Sequence, residues 1–226
     1  MLNRITVLAI LLMTSTLSFG KTQQEIIDNA KKFTVLVTQE GLLGRGRGSG
    51  ILLDETHVLA CFHMLDTPQD ELFVYTYPFG KVYKARPGMV DQKNDLDILI
   101  LESSATVRVK PVFQMKVTEG ETIYVIGNAL GGMHLQVRKG IISGKERSYL
   151  LTDAMVQHGD SGGPWINEKS KVVALTSWGF DNAPGITGGI SGKNIYPFVD
   201  FALHPEKMIK KLMEMLFGVA KSSGTK

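Results

Sequence analysis

From Phe33 onward the chain is written in short runs of β-branched, aromatic and aliphatic residues, six before Glu102 and six after Glu119, bounded by Gly, Pro, Asn or Asp. Such runs, recurring about every ten residues without intervening helical stretches, predict an all-β sandwich or barrel rather than βα units. The more polar segment Glu102 to Glu119, which contains Lys110-Pro111, divides the runs into two β-regions, 33–110 and 120–203. Helical spacing marks the two ends. Ile26, Ile27 and Ala30 make 21–32 an N-terminal helical segment. After His204-Pro205, Met208, Leu212 and Leu216 share a face with Ile209, Met213 and Phe217 beside them. Lys207, Lys210 and Lys211 lie toward the other side, so 204–226 reads as an amphipathic helix and a tail. This helix is expected to pack on the β-structure, with membrane contact the less favoured alternative.

A length of 226 residues allows one sizeable domain or two small ones sharing an interface. The hydrophobic share of 43% and charged share of 21% are those of a globular protein. A net charge of +3, scattered along the chain, gives no footprint for nucleic acid. No zinc-type Cys/His spacing occurs, and neither a metal nor another cofactor is expected. The single cysteine, Cys61, excludes an internal disulfide and reads as a small buried hydrophobe. At the N-terminus, Arg4, the apolar run Ile5 to Leu17 and the small residues of Ser18-Phe19-Gly20 read as a signal peptide over 1–20 with expected cleavage near Gly20, an uncleaved anchor being the less favoured alternative. The expected location is periplasmic or secreted, in a protein that does not depend on disulfides. No feature specifies an oligomeric state.

The densest chemistry lies between Met155 and Trp165. Ser161 stands among Gly159, Gly162 and Gly163, with Asp160 before it and Pro164 closing the turn. Such a turn can expose a hydroxyl while aiming backbone N–H groups at a neighbouring atom, which builds a nucleophile and an oxyanion hole together. A serine hydroxyl needs a base near neutral pH, and histidine has the suitable pKa. His63 ends the run Val58 to Phe62, where a strand hands a side chain to a loop; His57, in the Asp54-Glu55-Thr56 turn, is the weaker candidate. Gly48 and Gly50 flank Ser49 and permit close packing beneath such a site. The base needs a carboxylate to fix its tautomer. Asp95 and Asp97 both precede or open the apolar run Ile98 to Leu101, and residues two apart on a strand share a face, so geometry leaves both open.

The order His63, Asp95, Ser161 resembles the chymotrypsin-like serine peptidases. The surrounding segments are most similar to the protease domain of the bacterial HtrA/Deg branch. The resemblance runs through Gly48-Ser49-Gly50, Leu59 to His63, Asp91 to Leu99, Val125 to Asn128, Gly140 to Ser143, Thr152-Asp153-Ala154 and Gly159 to Pro164. It implies two six-stranded antiparallel β-barrels with a short N-terminal helix and a C-terminal α-helix, the site lying between the barrels. It selects Asp95 over Asp97. It implies Ser161 as nucleophile, His63 as base and then acid, Asp95 as orienter, and the N–H groups of Gly159 and Ser161 as the oxyanion hole. Ser177-Trp178-Gly179 resembles the strand on which an extended peptide pairs. Met155, six before the nucleophile, maps to the base of the specificity pocket, and its neutral side chain disfavours cleavage after Lys or Arg. His158 is a further substrate-binding candidate.

The chain departs from the branch in two ways. Too few residues follow Phe201 for a PDZ module, so regulation through one is not expected, and Asp160 stands where the HtrA proteins usually carry Asn. The partner of Asp160 could be Lys21, an internal cation or backbone donors. The leading reading is an exported serine endopeptidase that cleaves extended or unfolded polypeptides through an acyl-enzyme. The alternatives are a non-catalytic, protease-like peptide-binding protein and a self-processing peptidase; the latter has no use for a signal peptide.

Overall fold

The structure, a computed structural model, describes residues 20–41, 44–65, 71–179 and 185–217. The signal segment expected at 1–20 lies, apart from Gly20, outside the described residues.

Twelve strands close into two antiparallel barrels. The first comprises β1 (Thr34–Gly41), β2 (Gly44–Leu52), β3 (His57–Ala60), β4 (Glu71–Thr76), β5 (Lys81–Asp91) and β6 (Leu96–Leu101), in the order β1-β2-β3-β6-β5-β4. The second comprises β7 (Thr122–Gly127), β8 (Gln136–Glu146), β9 (Tyr149–Thr152), β10 (Pro164–Asn167), β11 (Val172–Gly179) and β12 (Thr187–Ser191), in the order β10-β11-β12-β9-β8-β7. Closure leaves no long sheet edge to cap.

Side chains alternate across each strand, which explains why β6 is apolar nearly throughout. Leu99 and Leu101 point into the first barrel with Val35, Val37, Leu52 and Val58. Leu96 and Ile98 point the other way and join Leu59, Ile126, Ile166 and Leu175 in a core between the barrels. The second barrel is filled by Ile123, Val125, Ile142, Trp165 and Val173; its buried indole N–H donates to the Thr176 hydroxyl at 2.9 Å.

Helix α1 (Gln23–Lys31) starts with a capping box between Thr22 and Glu25 and sends Ile26, Ile27 and Ala30 into the inter-barrel core. Two expectations need correcting at the other end. The second β-region does not extend to 203: its last strand stops at Ser191, and α2 (Gly192–Leu203) follows, anchored by buried Ile195 and Val199 one helical turn apart. The terminal helix α3 (Pro205–Phe217) forms, but it packs against α2 rather than on the strands. Its apolar face, Met208, Ile209, Leu212 and Met213, is exposed. Among the described residues no helix is long and apolar enough to cross a membrane.

Candidate active site

His63 is delivered by a single 3-10 turn (Phe62–Met64) directly after β3, and Asp95 caps another (Gln92–Asn94) directly before β6. Because β3 and β6 pair through Ala60 and Asp97, the two side chains meet above adjacent strands. Asp95 is left-handed, φ 57°, a conformation that Asp tolerates better than most residues. Its backbone carbonyl accepts from Phe62 N–H at 3.3 Å. Its carboxylate accepts from His63 Nδ1 at 2.8 and 3.0 Å and from His63 N–H at 2.9 Å. A further donor, the Ser177 hydroxyl, stands at 2.6 Å. Burial would raise this carboxyl, but the bonds from His63 and Ser177 outweigh it and hold the group below its ordinary value.

Asp97 goes elsewhere. It lies within β6, on the face of Leu99, and its carboxyl is 1% exposed in the first barrel with one oxygen unpartnered. Burial alone pushes it up to about 7. Two aspartates at strand spacing thus separate because Asp95 lies before the strand, in a left-handed turn, where the alternation rule does not apply.

Ser161 sits in the loop between β9 and β10 and lines, with His63, a cavity of about 420 Å³. Met155, His158, Ser177, Trp178 and Gly179 line the same cavity, with Gly159 bonded to Ser49 and Asp95 to Ser177 beside it; His57, the weaker base candidate, does not line it and pairs with Asp54 at 2.9 Å. Met155 is 51% exposed and therefore forms an open wall, not a buried base. Val156, Ile186 and Thr187 complete the apolar side, and no carboxylate is among the described lining residues. Ser177 falls at a β-bulge where the β11–β12 register shifts between Thr176 and Trp178, which re-aims its side chain toward Asp95. Trp178 packs edge-on against Tyr149 at 5.9 Å.

The loop itself is held from both barrels. Gly159 has φ 98° and Gly162 φ 81°; a side chain on Gly162 would collide with the Ser49 carbonyl. Ser49, on β2 and wholly buried, donates its hydroxyl to the Gly159 carbonyl at 2.8 Å, accepts from Asn128 N–H at 2.8 Å, and donates its N–H to the Ser161 carbonyl at 2.7 Å. The His158 carbonyl accepts from Leu130 N–H at 2.7 Å. Since a trans peptide points its C=O and N–H in opposite directions, this bond turns the Gly159 N–H away from Leu130. Among the described residues, the N–H groups of Asp160, Gly162 and Gly163 donate to carbonyls, whereas those of Gly159 and Ser161 have no protein acceptor.

Asp160, 0% exposed, pairs with Arg138 of β8 at 2.9 Å and accepts from Gln157 N–H at 2.8 Å. Burial pushes its carboxyl up against the pull of Gln157 and Arg138. Of the partners open from the sequence, the internal cation and a backbone donor are the ones used; Lys21 instead donates to the Ser170 hydroxyl at 3.3 Å. Arg138, Asn128, Leu130 and the Ser49 hydroxyl were not singled out from the sequence. Their only signal was local: Ser49 between two glycines, and a charge in the middle of a β-run at Arg138. Cys61 is buried, its thiol donating to the Thr176 carbonyl at 3.2 Å; burial and the nearby Asp95 raise it well above the ordinary thiol range, so it is inert as a nucleophile.

The family model described as a trypsin-like peptidase domain matches residues 48–175. A Pseudomonas putida protein, strain GB-1, named "Probable periplasmic serine endoprotease DegP-like", is 29% identical over 173 residues, covering 73% of this chain and 35% of that protein. Serine endoprotease DegS of Escherichia coli K12 is 25% identical over 150 residues, 62% of this chain and 41% of its own. The chain thus spans well under half the length of these curated relatives. The crystal structure of a serine endoprotease from Yersinia pestis superposes with a TM-score of 0.72 at 23% identity, covering 83% of this chain and 68% of the other, a likeness of fold.

Proposed function

The chain belongs to the trypsin-like peptidase family, and from that premise we propose that it is a serine endopeptidase that cleaves extended polypeptides through an acyl-enzyme on Ser161. The observation that carries this reading is the meeting of the His63–Asp95 pair and Ser161 on one cavity. With Asp95 accepting from Nδ1, the His63 ring keeps the tautomer whose Nε2 is free to take the Ser161 proton as the hydroxyl attacks a carbonyl carbon. The imidazolium so formed is stabilised by Asp95 and returns its proton to the leaving amine. Gly159 and Ser161 N–H groups receive the negative charge that grows on the carbonyl oxygen, and water then hydrolyses the ester with His63 as base.

The finer features belong to the same proposal. Substrate backbone pairs along Ser177 to Gly179, and an apolar side chain fills the hollow between Val156, Ile186 and Met155, where the described lining residues offer a Lys or Arg side chain no carboxylate. Export to the periplasm fits the N-terminal segment and the similarity to the periplasmic Pseudomonas protein. Incubating the full chain and Ser161→Ala with unfolded casein tests the reading. Cleavage by the parent alone, with a fluorophosphonate label on Ser161, is expected; equal cleavage by both proteins would overturn the assignment of Ser161, and cleavage by neither would overturn the endopeptidase.

A further inference from the structure

On the second barrel, away from the catalytic cleft and sharing none of its lining residues, lies a separate cavity of about 160 Å³. Its walls come from three parts of the chain: helix α1, the inter-barrel segment around Lys110, and the β10–β11 hairpin. The floor is apolar and buried, formed by Ile26, Ala30, Phe33 and Ile166, exposed by 3, 1, 3 and 0% respectively. The rim carries four lysines, Lys21, Lys110, Lys169 and Lys171, and no described lining residue is acidic.

None of these lysines forms an ion pair among the described residues; Lys21 donates to the Ser170 hydroxyl, and its charge adds to the Thr22 bonds that hold the Glu25 carboxyl low. The nearest acid in sequence, Glu168, does not line the cavity. Four like charges around one hollow repel one another, and the field they focus there favours an anion. Bare inorganic anions fit the rim but not the floor, where a fully hydrated ion would face apolar walls. A neutral apolar molecule fits the floor but leaves the charge unanswered. The volume equals roughly five waters at about 30 Å³ each, enough for a short chain of methylenes but not for a long one.

We propose that this cavity is a binding site for a small amphiphilic anion, a carboxylate on a short unbranched apolar chain. The head is held by Lys110 and Lys171, with Lys21 and Lys169 adding to the field, and the chain lies on Ile26, Phe33 and Ile166. Because α1 and the inter-barrel segment are held here against the second barrel, the ligand stabilises the docking of those parts as well as itself.

The test is calorimetric titration and thermal unfolding of the full chain with hexanoate, hexanol, hexylamine and inorganic phosphate as parallel probes. Saturable binding of hexanoate with a raised Tm, weakening as salt rises, is expected, with the other three probes giving little. Lys110→Gln with Lys171→Gln should weaken hexanoate binding about tenfold while casein cleavage is unchanged. Equal stabilisation by hexanol or hexylamine would overturn recognition of the anion. Equal binding of phosphate would overturn the role of the floor. Absence of saturable hexanoate binding, or full retention by the folded double variant, would overturn the site.

Discussion

Arg138→Gln is the substitution that separates a structural ion pair from one that serves the reaction. Asp160 is wholly buried and its Oδ1 has no hydrogen-bond partner, so Oδ2, shared between Arg138 and Gln157 N–H, carries the compensation for its charge. Removing one partner of a buried pair costs about 3–5 kcal/mol; the remaining Gln157 bond and the 18% exposure of Arg138 put this case near the lower end, about 3 kcal/mol at pH 8. The sign with pH is fixed by the raised folded-state carboxyl. Its unfavourable contribution is absent below the unfolded value and grows as pH rises through the folded one, so the variant approaches the parent in acid and falls away in base. Because Asp160 lies between the two N–H groups assigned to the oxyanion, the freed loop should lower kcat, by about 100-fold, with KM little changed. Urea unfolding at pH 5 and pH 8, beside turnover of a fluorogenic peptide with an apolar residue before the scissile bond, reads both effects. Asp160→Asn in the Arg138→Gln background removes the orphaned charge and should recover most of the stability, and Arg138→Lys only part. Parental stability and parental kcat in Arg138→Gln would refute the reasoning, as would a loss that appears wholly in KM.

Three further outcomes follow from contacts of the same site. Ser49→Ala strands the Gly159 carbonyl and the Asn128 N–H, costing about 2 kcal/mol of stability, and should lower kcat about tenfold; denaturant melts and steady-state kinetics check both. Ser177→Ala removes a donor that holds the Asp95 carboxyl low. The Asp95 carboxyl itself should therefore titrate at higher pH in the variant, read by carbon-13 NMR of the labelled carboxyl, and an unmoved titration would count against the contact. Asp97 should make the protein lose stability as pH rises. Its carboxyl titrates at about 7 against 3.8 when free, so its folded form is fully favoured only below the lower value, and the contribution disappears toward pH 7, by about 4 kcal/mol in all. Asp97→Asn removes that slope, whatever constant offset the amide adds; parallel stability–pH curves for parent and variant would contradict it.

The parts of this molecule that were legible in the sequence are those in which a short stretch does its own work. The glycines around Ser161 specify a turn because φ values of 98° and 81° are local demands, and the apolar runs specify strands because alternation is local as well. The choice between Asp95 and Asp97 shows where locality fails. Their spacing suggests a shared face, yet one residue of left-handed backbone sends Asp95 to His63 and leaves Asp97 inside the barrel. Helix α2 was hidden for a related reason. Pro197 within it argues against a helix, and only the burial of Ile195 and Val199 on the second barrel outweighs that cost. Arg138 is farther from sequence reasoning still. Nothing near it says that a cation on β8 will stand beneath a loop that begins after β9; that depends on how the second barrel closes. The loop's other support, Ser49, comes from the first barrel, so the geometry of the Gly159 and Ser161 N–H groups depends on the docking of both halves. A chain whose barrels fold but dock imperfectly would therefore keep both residues of the His63–Asp95 pair, which the first barrel supplies, though without the Ser177 donor, and lose the oxyanion site first.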